Sequence, residues 1–125
     1  MADEISFNLR FDVTNGTYKP GPIVISGLTI DQAAAGESGG TITVTTSDNV
    51  TLPHTSIANP GWLYLRNIES STAKFIAWGF STGALSAIMY TSEFALLRTT
   101  TGAEVYAKQT GGTGGCKMHY RWLES

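Results

Sequence analysis

Cys116 and His119 are the pair that first invites a chemical reading, a thiol nucleophile with an imidazole base. They stand three apart in an alternating stretch. In a strand such residues point to opposite faces, so the pair does not meet. His54 and His119 are the only histidines, and Cys116 the only cysteine, which is too few nitrogen and sulfur ligands for a zinc site. The run Gly111-Gly112-Thr113-Gly114-Gly115 precedes a lysine, as in a phosphate-binding loop. That loop needs glycine directly before the lysine, Ser or Thr after it, and a following helix; here Cys116 and Met118 flank Lys117 and a strand follows. The carboxylates are scattered over turns and polar strand faces and form no glycosidase-like pair by spacing. No catalytic residue, cofactor or metal is expected, and the chain reads as a non-enzyme.

The remaining chemistry lies in flat rings and bases. Trp62, Tyr64, Trp78 and Phe80 are of the type that stacks on sugar rings. They are equally of the type that fills a core or a subunit interface, and this sequence has few other large side chains for either purpose. Lys117, His119 and Arg121 alternate on one strand face, which reads as a solvated face or an anion site.

The elements that position these residues are strands. Ile5 to Val13 is apolar at every odd position, a strand with one buried and one wet face. Asn15-Gly16 is a hairpin signal, although Pro20 and Pro22 favour a longer connection equally. Ile23 to Ile30 is β-branched and broken by Gly27, where a bulge or a close backbone approach is expected. Asp31 to Gly36 offers one helical turn. Strands follow at 41–46 and, briefly, at 50–52. The turn Asn59-Pro60-Gly61 then opens the stretch around which the rest is organised.

In that stretch Trp62, Tyr64 and Ile68 share a face with Arg66, while Leu63 and Leu65 share the other with Asn67. The strand at 74–80 is also apolar on both sides, with Phe75 and Ala77 opposite Ile76, Trp78 and Phe80. Strands with two apolar faces need cover on both. Residues 84–97 read as two short strands, because Tyr90-Thr91-Ser92 interrupts a helical pattern. In 104–108, Val105 and Ala107 face inward. The glycine loop reads as flexible, with Cys116 a small residue at its end that packs against nothing. The last strand, 117–123, sets Met118, Tyr120 and Trp122 against Lys117, His119 and Arg121. Strands recurring every eight to twelve residues define an all-β chain, a jelly-roll-like antiparallel β-sandwich forming one domain over residues 1–125.

Composition narrows the function. A formal charge of −2 and a pI near 5.5 argue against direct nucleic-acid binding. Residues 1–62 hold two bases against six carboxylates, and residues 63–125 six bases against four. The acidic start of the sequence is unlike a signal peptide, no apolar run approaches a membrane span, and no membrane partner is expected. The sequence reads as made and kept soluble inside a cell, at least at first.

The stretch Gly61-Trp62-Leu63-Tyr64-Leu65-Arg66-Asn67-Ile68 resembles a glycine-aromatic-x-x-x-Arg-Asn-Leu/Ile-Asp segment of small structural proteins from the virions of tailed bacteriophages. The resemblance continues through Phe75–Gly79, Glu93–Arg98, the Val105-Tyr106-Ala107-Lys108 strand and the basic-aromatic strand ending at Leu123-Glu124. It covers roughly residues 59–124. Glu69-Ser70 departs from the family's Asp-Ala/Thr, and the glycine loop is unusually long. The resemblance implies a structural role, of the capsid decoration or cement type, made in the host cytoplasm and located in the virion. It implies a homo-oligomer, a trimer being the first arrangement to test, partnered by the major capsid protein or another virion protein. Arg66 would bridge strand ends or subunits, and Asn67 would set the turn. The candidate interface is then Trp62, Tyr64, Arg66, Trp78 and Phe80. A carbohydrate- or receptor-binding module of a phage fibre or tail, using the same aromatics, is the alternative.

Overall fold

In a computed structural model of the chain, residues 5–30 and 36–124 are described. They fall into two compact units, one within Met1–Ala33 and the other within Ala34–Ser125. Residues 5–30 lie in the first unit and residues 36–124 in the second. The expected helical turn at 31–36 lies almost wholly outside the described residues.

The first unit is a hairpin of β1 (Ile5–Phe11) and β2 (Ile23–Ile30), paired antiparallel. Asn15 and Tyr18 exchange both backbone hydrogen bonds, at 3.0 and 2.9 Å, around Gly16-Thr17. The tight turn signalled by Asn15-Gly16 therefore forms inside the longer connection.

The second unit holds eight strands: β3 (Glu37–Val44), β4 (Val50–Thr51), β5 (Pro60–Asn67), β6 (Ile76–Gly79), β7 (Ala87–Met89), β8 (Phe94–Arg98), β9 (Tyr106–Gln109) and β10 (Cys116–Glu124). They form two four-stranded antiparallel sheets in the orders β3-β10-β5-β8 and β4-β9-β6-β7. The pairings nest. Strand β3 lies against β10, β4 against β9, β5 against β8 and β6 against β7, as if one long hairpin had been wound around a barrel. This is the eight-stranded jelly roll, with its two sheets packed face to face.

Alternation in β10 and β5 decides what lies between the sheets. Met118, Tyr120 and Trp122 point inward with Leu63 and Leu65, and meet Ile76, Met89, Val105 and Ala107 of the facing layer in one continuous core. The expected split of 84–97 into two strands is found as β7 and β8.

The last third of the chain differs from expectation in two places. Cys116 is fully buried in this core as the first residue of β10, opposite Val44, so it does not sit loosely at the end of a loop. The glycine loop before it is packed. A Cβ on Gly111 would lie 2.3 Å from the Phe75 ring and 2.6 Å from the Ala73 carbonyl, and Gln109 Nε2 donates to the Gly111 carbonyl at 2.7 Å. Glycine is required there because the 73–75 segment comes too close for any side chain.

Candidate functional site

The outward face of the β3-β10-β5-β8 sheet collects the aromatic and basic residues into three cross-strand rows. Thr41, His119, Arg66 and Phe94 form the first; Gly39, Arg121, Tyr64 and Leu96 the second; Glu37, Leu123, Trp62 and Arg98 the third. These residues face outward because their neighbours along each strand fill the core.

Tyr64 is the centre. Its ring lies 6.0 Å from His119, edge-on, and 6.4 Å from Phe94. Both spacings fall in the range in which aromatic pairs attract beyond simple burial. The Arg98 guanidinium sits over the Trp62 ring, 5.9 Å from its centroid, a cation–π arrangement. Tyr64 and Trp62 are half-buried, whereas Phe94 and Leu96 are exposed. Arg66, Arg98 and Arg121 supply three positive charges to these rows, while Lys117, one pair further along β10, lies beside the Glu69 carboxylate. Glu37 is the one carboxylate in the three rows, and it pairs with Arg121 at 3.8 Å. Arg66 has no ion-pair partner among the described residues. The face is therefore apolar in the middle, basic at its margins and short of acid, although the whole chain carries −2.

Of the residues expected at an interface, Trp62, Tyr64 and Arg66 are brought together here. Trp78 and Phe80 are not. Trp78 lies on the other sheet and packs inward against the core, half-buried, with its ring edge-on to Phe80 at 6.3 Å. Phe80 lies past the end of β6, exposed, and lines a groove of about 450 Å³ with Arg98, Thr99, Thr100, Ala103 and Glu104. Arg98 belongs to both places, so the groove runs up to the edge of the aromatic face.

Phe94, Leu96 and Arg98 were not singled out by sequence. Their signal is the same period-two alternation, with Ala95 and Leu97 inward, hidden because Phe94–Leu97 is a continuous apolar run. Lys117, His119 and Arg121 do share one face, as their spacing predicts.

Asn67 sits beside this face but points into the core, fully buried. Its Nδ2 donates to the carbonyls of Lys74 (3.1 Å) and Met89 (3.3 Å), and its Oδ1 accepts the amide N–H of Glu69 (3.0 Å). The Cys116 thiol lies 3.5 Å from the same oxygen. One amide thus ties the ends of β5 and β7, the loop between β5 and β6, and the start of β10. The bond to Glu69 makes the turn that the Arg-Asn pair was expected to set.

The other candidates for chemistry separate. Cys116 and His119 occupy opposite faces of β10. Burial pushes the Cys116 thiol above its usual value, and the Glu69 charge adds to this, so the reactive thiolate is suppressed. His54 packs edge-on against the inward Trp122 ring at 5.5 Å, away from His119 on the outer face. Among the described residues no group of three His, Cys, Asp or Glu side chains is placed to hold a metal ion.

Fold and face together define an eight-stranded jelly roll with an aromatic, basic outer sheet. No protein-family model, curated protein or solved structure matches the chain.

Proposed function

We propose that the protein is a non-catalytic structural component of a tailed-phage virion, a decoration or cement protein that acts as a homo-oligomer on the capsid. The observation that carries this reading is the outer face of the β3-β10-β5-β8 sheet. Its exposed Phe94 and Leu96 and half-buried Tyr64 lie in rows that hold three arginines and a single carboxylate. Apolar area at the centre with charge at the rim is the layout of a protein–protein contact, and the excess of base selects an acidic surface, such as one on the major capsid protein. The resemblance of residues 59–124 to virion proteins supports the same reading.

The test is co-purification with native particles, followed by electron microscopy of those particles. The wild-type chain should be found on the particle surface. Tyr64→Glu combined with Arg66→Glu should fold, by circular dichroism, and be lost from the particles. Binding by that variant equal to wild type would remove the sheet face from the contact. Absence of the wild-type protein from every particle would remove the virion role.

One observation favours a second reading, a carbohydrate-binding module. The groove beside Phe80 sets an exposed ring next to the Arg98 guanidinium, the Glu104 carboxylate and the Thr100 hydroxyl, the mixture that pyranose recognition uses. Quenching of tryptophan fluorescence by soluble glycans, lost in Phe80→Ala, would bring this reading forward.

A further inference from the structure

Each four-stranded sheet of the second unit ends in two edge strands, and the four edges differ. Strands β4 and β7 are two and three residues long, too short to template another chain. Strand β3 turns Glu37, Gly39, Thr41 and Thr43 to its outer face, which offers an incoming strand no large apolar side chain. Strand β8 is five residues long and sets Phe94, Leu96 and Arg98 on one face, with Phe94 55% and Leu96 43% exposed. Within Phe94–Arg98 there is no proline, lysine or bulge, the devices that ordinarily blunt an edge.

The hydrogen-bond ladder fixes which backbone groups of β8 are free. Asn67 donates its N–H to the Glu93 carbonyl at 3.0 Å, and Thr99 donates to the Gly61 carbonyl at 2.6 Å. Both pairs continue the register that sets Leu65 opposite Ala95 and Leu63 opposite Leu97. In an antiparallel ladder, hydrogen-bonded and non-hydrogen-bonded pairs alternate. Ala95 and Leu97 therefore bond to β5, and the N–H and C=O groups of Phe94, Leu96 and Arg98 point to the open side. These three residues thus carry both the free backbone groups and the outer-face side chains. Arg66 and Arg98 have no ion-pair partner among the described residues. The carboxylates nearest β8 along the chain, Glu93 and Glu104, accept instead from the Tyr90 N–H at 2.8 Å and from the Tyr106 hydroxyl.

We propose that β8 is the docking edge for an extended segment of a partner protein, added antiparallel as a fifth strand of the β3-β10-β5-β8 sheet. The segment places an acidic residue opposite Arg98 and apolar residues opposite Leu96 and Phe94. The proposal rests on the reading of this face as a contact for an acidic partner, and names how that contact is made. Main-chain hydrogen bonds to Phe94, Leu96 and Arg98 hold the segment, while its alternate side chains lengthen the three cross-strand rows. Charge selects such a partner over a second copy. Another β8 would bring a further arginine and no carboxylate to a face that already holds Arg66 and Arg98 without ion pairs. An acidic strand neutralises them.

The probe is a peptide blocked at both ends, Glu-Thr-Ile-Thr-Phe-Thr-Glu, offered to the full chain and followed by amide hydrogen exchange. In the free protein the amides of Ala95 and Leu97 should exchange slowly and those of Phe94, Leu96 and Arg98 quickly. Saturating peptide should protect the second set. Methylating the isoleucine nitrogen, which leaves every side chain in place, should weaken binding roughly tenfold or more. Leu96→Pro should weaken it similarly without unfolding the sandwich, because proline is tolerated where the N–H faces away from the ladder. Three results would overturn the added strand: protection of Phe94, Leu96 and Arg98 before peptide is added, no protection at up to roughly 1 mM peptide, or equal binding of the methylated peptide. A change of oligomeric state in Leu96→Pro would also overturn it, by giving the edge to a second copy. On native particles, Leu96→Pro binding as well as wild type would overturn the docking edge and leave the virion reading intact. Wild type absent from every particle, with the peptide protecting the three amides, would remove the virion reading and keep the edge.

Discussion

Strands β1 and β10 alternate equally well, yet they end in opposite circumstances. In β10, Met118, Tyr120 and Trp122 are at most 5% exposed, while in β1, Leu9 and Phe11 are 43% and 55% exposed. The difference lies in neighbours. Strand β10 is central, between β3 and β5, with a second sheet beneath it; β1 has one partner strand. Period-two alternation fixes which side chains share a face. Whether that face is covered is decided by topology.

Four experiments break or sharpen this contrast. The largest effect is expected from Trp122→Ala, which empties a fully buried indole site at the centre of the sandwich. Large-to-small changes of this kind cost about 3–5 kcal/mol, readable as a lower urea midpoint. A loss below roughly 1 kcal/mol would mean that the inner layer is not the cooperative core.

Asn67→Ala comes next. It removes one amide and leaves the carbonyls of Lys74 and Met89 and the N–H of Glu69 without their partner. Buried groups left unpaired cost about 1–3 kcal/mol each before relaxation, and a net loss of about 2–3 kcal/mol is expected on denaturant unfolding. A silent substitution would show that the four segments are held together by packing alone.

Cys116→Ser should be milder, about 1–2 kcal/mol, because a hydroxyl replaces a thiol in a dry site where only Asn67 is within reach. The wild-type thiol also makes stability depend on pH. Burial raises its pKa in the folded chain above the ordinary 9.0. The protonated form is therefore favoured by folding, and its contribution is full below that value and falls as pH rises through the folded pKa. Urea midpoints should decline above about pH 9, and less in Cys116→Ala. Equal declines would assign the loss to other groups; Tyr120, whose pKa burial also raises, is the next to examine.

The smallest effect is expected from Leu9→Lys. The unfolding midpoint followed by tryptophan emission should move by less than about 0.5 kcal/mol, the usual range for surface positions. Met118→Lys, at a matching alternating position in β10, should prevent folding. Similar losses from both would erase the distinction between the two strands.

Much of the fold is legible in the sequence because strand faces are local. The division of β5 and β10 into two faces, an irregularity at Gly27 and the two strands within 84–97 follow from residue spacing and turn chemistry. What is not legible depends on distant segments meeting. Cys116 reads as loop because its neighbours are glycines; only the approach of Val44 and Asn67 buries it. Gly39 and Gly40 fall before the strand expected at 41–46, but they pair with Arg121 and Tyr120 within β3. The candidate face is half legible for the same reason. Trp62, Tyr64 and Arg66 share a face by parity alone, whereas Phe94, Leu96 and Arg98 join them only through the pairing of β5 with β8. Trp78 has the ring type of an interface residue but turns inward.

The nested pairing of the jelly roll has a kinetic consequence. Glu37 meets Leu123, and the strand at the middle of one sheet is the last of the eight to be synthesised. Until residues 116–124 leave the ribosome, β3 and β5 have no common neighbour and their inward leucines and isoleucine stay wet. Such long-range closure is slow compared with hairpin formation. The β1–β2 hairpin, complete by residue 30 and local in its contacts, can close early, but as an isolated pair of strands it is only marginal in water.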